Sequence, residues 1–230
     1  RVDKDLLRQH SKGLIALSLI PPVIGLGLGI QQQLASVPVG ARSFAEWIGI
    51  GLFTYLGVHL LFYQPTTLFR VHHTLLSRMT LWLFGGQVAT TSPQEAKKKG
   101  KAQAEQPQGS TLLTVSPYLI PLYTVLLCLA TWLFRRWWTL TALESGAAFL
   151  IGASLALHWV MTADSLQQQR ARMSFDAYLL ALAIVGLINL VVVSVCLPLT
   201  VPGFSLPSVF AEALSRAGTI YMAIFQRLFL

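Results

Sequence analysis

Seven polar residues stand inside otherwise apolar stretches of this chain: His59, His72, His73, Arg78, Glu144, His158 and Asn189. An ionisable group in a hydrocarbon environment is costly, so each is a functional hypothesis by default. His59 and His158 lie on separate apolar segments. They suit axial ligation of a haem or a chlorophyll-type pigment, which needs two imidazoles facing each other at matched depth. Their plainer reading is an interhelical hydrogen bond, to Asn189 or to a hydroxyl. For His72 and His73 the plainer reading is an interfacial pair near lipid head groups or a neighbouring subunit. Glu144 reads as solvated, because a proton relay needs a chain of such groups. Cys128 and Cys196 read as isolated buried thiols, with no disulfide framework and no metal cluster. Gly25-x-Gly27-x-Gly29 has no strand before it and is helix-packing geometry, so the dinucleotide-loop reading fails.

The densest local signal is Phe69-Arg70-Val71-His72-His73-Thr74-Leu75-Leu76-Ser77, followed by Leu83-Phe84-Gly85-Gly86-Gln87-Val88. Ser116-Pro117-Tyr118, Pro121-Leu122-Tyr123, His158 with Thr162, Leu166 and Gln169, and Ile188-Asn189 follow in order. In this series, from about Phe53 to Val191, the chain resembles the site-2-protease type of intramembrane zinc metallopeptidase. Members of that family place H-E-x-x-H on a membrane helix. The two histidines bind zinc and the glutamate activates water. The resemblance puts His73 at the first ligand position and Gly85-Gly86 at the later glycine pair. It also puts Thr74 at the glutamate position and Ser77 at the second histidine position. Threonine cannot act as a general base near neutral pH. Serine is a poor zinc ligand beside imidazole. Moving the register to His72 places Leu76 at the second ligand, and no other H-x-x-x-H or H-E pair exists. The resemblance therefore implies a catalytically degenerate relative, with a divergent zinc peptidase as the alternative.

The elements that position these residues follow from hydropathy. The chain is 54% hydrophobic and 11% charged over 230 residues, with mean hydropathy +0.60. Soluble domains carry about 25% charged residues, so an ordinary soluble globule, a disordered chain and a coiled-coil rod are excluded. A spanning helix needs about 20 mainly apolar residues. Five stretches qualify: 13–30, 44–63, 111–134, 140–162 and 177–198. Pro21-Pro22 should kink the first, and Gly25, Gly27 and Gly29 allow close approach. Ala148, Gly152 and Ala156 call for a tight partner to the fourth. Residues 71–84 would reach only about 21 Å as a helix, which suits an interfacial segment. Residues 89–110, with Lys97, Lys98, Lys99 and Lys101, read as a solvated loop. In 208–230, Phe210, Leu214, Ala217, Tyr221, Ile224 and Leu228 form one stripe, the pattern of an amphipathic helix lying in the interface or on a partner.

Net charge is +8, but the basic residues are scattered at segment ends and no stripe suits nucleic acid. With five spans and a cytoplasmic N-terminus, twelve of the 17 Lys and Arg residues fall on the cytoplasmic side together with the lysine-rich loop, as the positive-inside rule requires. The expectation is an all-α polytopic membrane bundle, a single integral membrane domain over 1–230. It would serve as a non-catalytic structural or accessory subunit on a degenerate metallopeptidase-like scaffold. Its partners would be the lipid bilayer and other membrane subunits, with no nucleic acid. No cofactor is expected; zinc near His73, or haem or a pigment between His59 and His158, are the alternatives.

Overall fold

The structure, a computed structural model, describes residues 4–62, 119–137, 141–170 and 173–229. These residues are 92% helical. They form α1 (Lys4–Ser36), α2 (Val39–Phe62), α3 (Leu122–Trp137), α4 (Thr141–Gln169), α5 (Phe175–Thr200) and α6 (Leu206–Phe229). Four stretches are long and apolar enough to cross a membrane: Ser11–Ser36, Arg42–Leu61, Glu144–Gln167 and Phe175–Thr200. They coincide with four of the five expected spans. The fifth, 111–134, is described only from residue 119, and its helix α3 has 16 residues, about 24 Å. The segment 71–84 with His72, His73, Thr74, Ser77 and Arg78, and the loop 89–110, lie outside the described residues.

The expected polar arm before residue 13 and part of the polar link after residue 30 belong to one continuous helix α1, with Pro21 and Pro22 inside it. Proline removes an amide donor from the helical ladder. Pro22 therefore leaves the carbonyl of Ser18 without its helical donor, and the Tyr221 hydroxyl of α6 donates to that carbonyl instead. Neighbouring helices commonly compensate a membrane proline in this way.

Two contact sets fix the helix directions. At one end of the bundle, Arg135 at the close of α3 lies 4.8 Å over the Phe44 ring at the start of α2. Its Nε donates to Glu144 at the start of α4, 3.0 Å, and its Nη1 donates to the carbonyl of Thr200, the last residue of α5. At the other end, Gly13 of α1 faces the carboxylate of Asp176 at the start of α5. Helices α1, α3 and α5 therefore run towards the Arg135 end, and α2 and α4 run away from it. Ser174 caps the first turn of α5 by accepting from the Ala177 amide, 3.4 Å. After α5, Gly203 turns the chain with φ +80°, a conformation that glycine adopts without steric cost. Helix α6 then descends antiparallel to α1.

Small residues set the two closest helix pairs. Gly51 of α2 lies under the carbonyl of Phe149, and Gly152 of α4 lies under the carbonyl of Ile48; a Cβ at either would collide with backbone. Ala148 and Ala156 are wholly buried beside them. The expected tight partner of the fourth span is thus α2, running parallel to it. In the second pair, Gly25 and Gly29 of α1 meet the carbonyls of Ala213 and Val209 in α6, whereas Gly27 faces open space. Contacts of this kind let membrane helices gain dispersion energy over backbone as well as side chains. Helix α6 buries Val209, Ala213 and Ala217. Leu214, Tyr221, Ile224 and Leu228 of the expected apolar stripe stay exposed. Small side chains seat this helix on α1 because the glycines there accept nothing larger.

Candidate functional site

Helix α4 carries Ser154, His158 and Thr162 at four-residue spacing, so they share a face. All three are buried, His158 to 2% exposure. The hydroxyls of Ser154 and Thr124 (α3) hydrogen-bond to each other at 3.0 Å. Asn189 on α5 is also buried, and its Nδ2 donates to the Val185 carbonyl at 2.9 Å. On α2, the His59 ring stacks on Tyr55 one turn earlier, with centroids 6.2 Å apart.

Helical rise places these groups in one layer. Counted from the Arg135 junction at 1.5 Å per residue, Thr124 and Asn189 lie about 16 Å deep, His158 about 21 Å and His59 about 22 Å. The two histidines sit on parallel, touching helices at matched depth. The structure thus places His59, His158 and Asn189 on three helices within about 6 Å of one another in depth. His73, Thr74 and Ser77 lie outside the described residues. Among the described residues, no group of three or more His, Cys, Asp or Glu could hold a metal ion.

Most buried hydroxyls in the bundle are satisfied locally. Thr131 donates to Leu127, Ser194 to Leu190 and Thr200 to Leu197. Thr162 differs: its Oγ1 is buried and has no hydrogen-bond partner among the described residues. An unsatisfied buried donor costs about 1–3 kcal/mol. Thr162 and Asn189 line a cavity of about 270 Å³ between α4 and α5, walled by Trp159, Leu182, Val185 and Leu190. This cleft is invisible to a linear reading, because its lining comes from two helices that are separate in sequence.

Two further arrangements escape a linear reading. Cys128 and Cys196 are isolated in sequence, yet α3 and α5 bring the two free thiols into the same buried core cluster. On α6, Glu212 and Arg216 pair at 2.6 Å with half of the Arg216 side chain exposed, and Arg216 also donates to Gln32 of α1 at 3.2 Å. Beside them Ala211, Ser215 and Gly218 are exposed, and a Cβ on Gly218 would meet nothing within 4 Å. Gly25 sits between Ala213 and Ala217 and the Arg216 guanidinium reaches Gln32, so this charged face runs from the middle of the apolar stretch Ser11–Ser36 towards its Arg135 end.

Among the described residues, four apolar helices of spanning length define a polytopic helical bundle of membrane type. No family model, curated protein or solved structure matches the chain.

Proposed function

We propose that this chain is a non-catalytic accessory or structural subunit of a larger membrane assembly. In this reading α6 crosses the bilayer beside α1 and presents its open face to a neighbouring protein. The supporting observation is the Glu212–Arg216 pair, partly exposed on a helix packed along α1 and lying within the length of the apolar stretch Ser11–Ser36. Hydrocarbon is a poor solvent for such a pair, and charged groups at that depth face protein or a water-filled cavity. The small residues Ala211, Ser215 and Gly218 allow a neighbouring helix to approach closely. A crossing α6 also carries Arg227 to the side on which positive-inside counting places the N-terminus and residues 89–110, which this reading takes as cytoplasmic. The metallopeptidase-like stretch fits as a degenerate scaffold, since Thr74 and Ser77 supply neither general base nor second imidazole.

The test is gentle detergent extraction of the full chain, followed by measurement of particle mass. The wild type should migrate in a complex of fixed stoichiometry. Ser215→Trp, a wedge on the open face, should release the chain with its helicity unchanged. A single 25.3 kDa chain in both preparations would refute the proposal.

The matched depth of His59 and His158 supports a second reading, a haem- or pigment-binding accessory subunit. Against it, α2 and α4 touch backbone to backbone at Gly51 and Gly152, only about 9–12 Å from the histidines along the axis, where a macrocycle needs the helices apart. An absorption spectrum decides: a visible band lost in His158→Leu supports it, and a colourless preparation excludes it.

A further inference from the structure

The cleft between α4 and α5 combines three features. Its walls are apolar and include the half-exposed Trp159 indole. It lies among residues of two apolar spans, so its mouth meets hydrocarbon rather than water. Its inner wall holds Thr162, which is 6% exposed and whose hydroxyl does not donate back to its own helix as those of Thr131 and Ser194 do. A serine or threonine in a membrane helix ordinarily makes that local bond. A donor held away from it, inside an apolar cavity, is placed to serve a guest.

From these observations we infer that the cleft binds a lipophilic molecule with a ring carbonyl, Thr162 donating to the carbonyl oxygen and the molecule's apolar tail extending into lipid. The acceptor must be neutral, because no charged side chain lines the cleft. It must also lie within the hydrocarbon depth, which excludes a phospholipid anchored by its head group at the interface. A volume of about 270 Å³ is near the lower bound of about 300 Å³ for small-molecule cavities. It suits a ring with its tail outside. The flat Trp159 indole offers that ring a stacking surface. This inference is independent of what covers α6.

The experiment uses the full chain in lipid nanodiscs and the fluorescence of Trp159, isolated by subtracting the Trp159→Phe signal. The probe is decylbenzoquinone, with decylbenzene as the matched compound lacking the carbonyl. Decylbenzoquinone should quench Trp159 saturably at one per chain. Thr162→Val should weaken this about tenfold, the loss of one neutral hydrogen bond, while Thr162→Ser should bind as wild type. Ala163→Phe, which fills the cleft from an exposed position, should abolish saturation. Quenching that never saturates, decylbenzene binding as tightly as the quinone, or equal affinity in Thr162→Val would each overturn the inference.

Discussion

The Tyr221 hydroxyl donates to the carbonyl of Ser18, across the interface between the last and first described helices. Pro22 deprives that carbonyl of its helical donor, so the two helices are joined at the point where α1 is weakest. Tyr221→Phe keeps the ring and removes the donor. We expect a loss of about 1–2 kcal/mol in detergent unfolding. Tyr221→Phe combined with Pro22→Ala should recover most of it, since alanine restores the helical amide. An unchanged midpoint for the single variant would show that the carbonyl finds another donor.

Gly152 and Gly27 form a matched pair for testing the close helix contacts. Gly152→Ala drives a Cβ into the Ile48 carbonyl and should cost about 3 kcal/mol, as overpacking of a close contact does. Gly27→Ala points into open space and should be neutral, or stabilising by up to about 1 kcal/mol. Thermal unfolding of the two variants side by side checks the order, and equal effects would contradict the parallel α2–α4 packing.

Arg135 joins four helices, and its three contacts differ in weight. The Glu144 carboxylate is 41% exposed, and exposed ion pairs contribute at most about 1 kcal/mol. Glu144→Gln should therefore be mild. Arg135→Lys keeps the charge but loses the planar fork that reaches Thr200 while covering Phe44. It should cost about 1–2 kcal/mol, more than Glu144→Gln. A double-mutant cycle of Arg135→Met with Glu144→Gln, each of which removes one charge, isolates the ion pair. A coupling larger than the Arg135→Lys loss would reverse this ranking.

Much of the bundle was legible from hydropathy, because burial in lipid imposes long apolar runs. Four spans, the partnered face around Gly152 and the helical tail were all readable in that way. The small-residue spacing at Ala148, Gly152 and Ala156 announced a close contact, but the identity of the partner helix needed three dimensions. The tail was legible as a helix, but its seat on α1 was not. Its large residues form a stripe that stays exposed, and the side that meets Gly25 and Gly29 is the one carrying Val209, Ala213 and Ala217, which only the α1 glycines reveal. His59, His158 and Asn189 were visible as polar residues in apolar runs. The Thr162 cleft and the shared burial of Cys128 and Cys196 were not, since threonine and cysteine are common in membrane helices and only the packing of separate helices brings them together.

The helix directions predict sidedness. With Cys128 and Cys196 buried, single cysteines introduced at exposed positions report access by a membrane-impermeant thiol reagent. Ser36→Cys and Pro202→Cys should label from one face of sealed vesicles and Arg170→Cys from the other. Labelling of all three from one face would contradict the antiparallel arrangement of α4 with respect to α1 and α5.

The decisive measurement concerns the two ends of α6. Leu228→Cys and Pro202→Cys, labelled separately in sealed vesicles, report whether this helix traverses the bilayer with its Glu212–Arg216 face or rests on the surface. The account predicts that they react from opposite faces. Reaction of both from the same face would place α6 in the interface and remove the ground for a protein partner on its charged side.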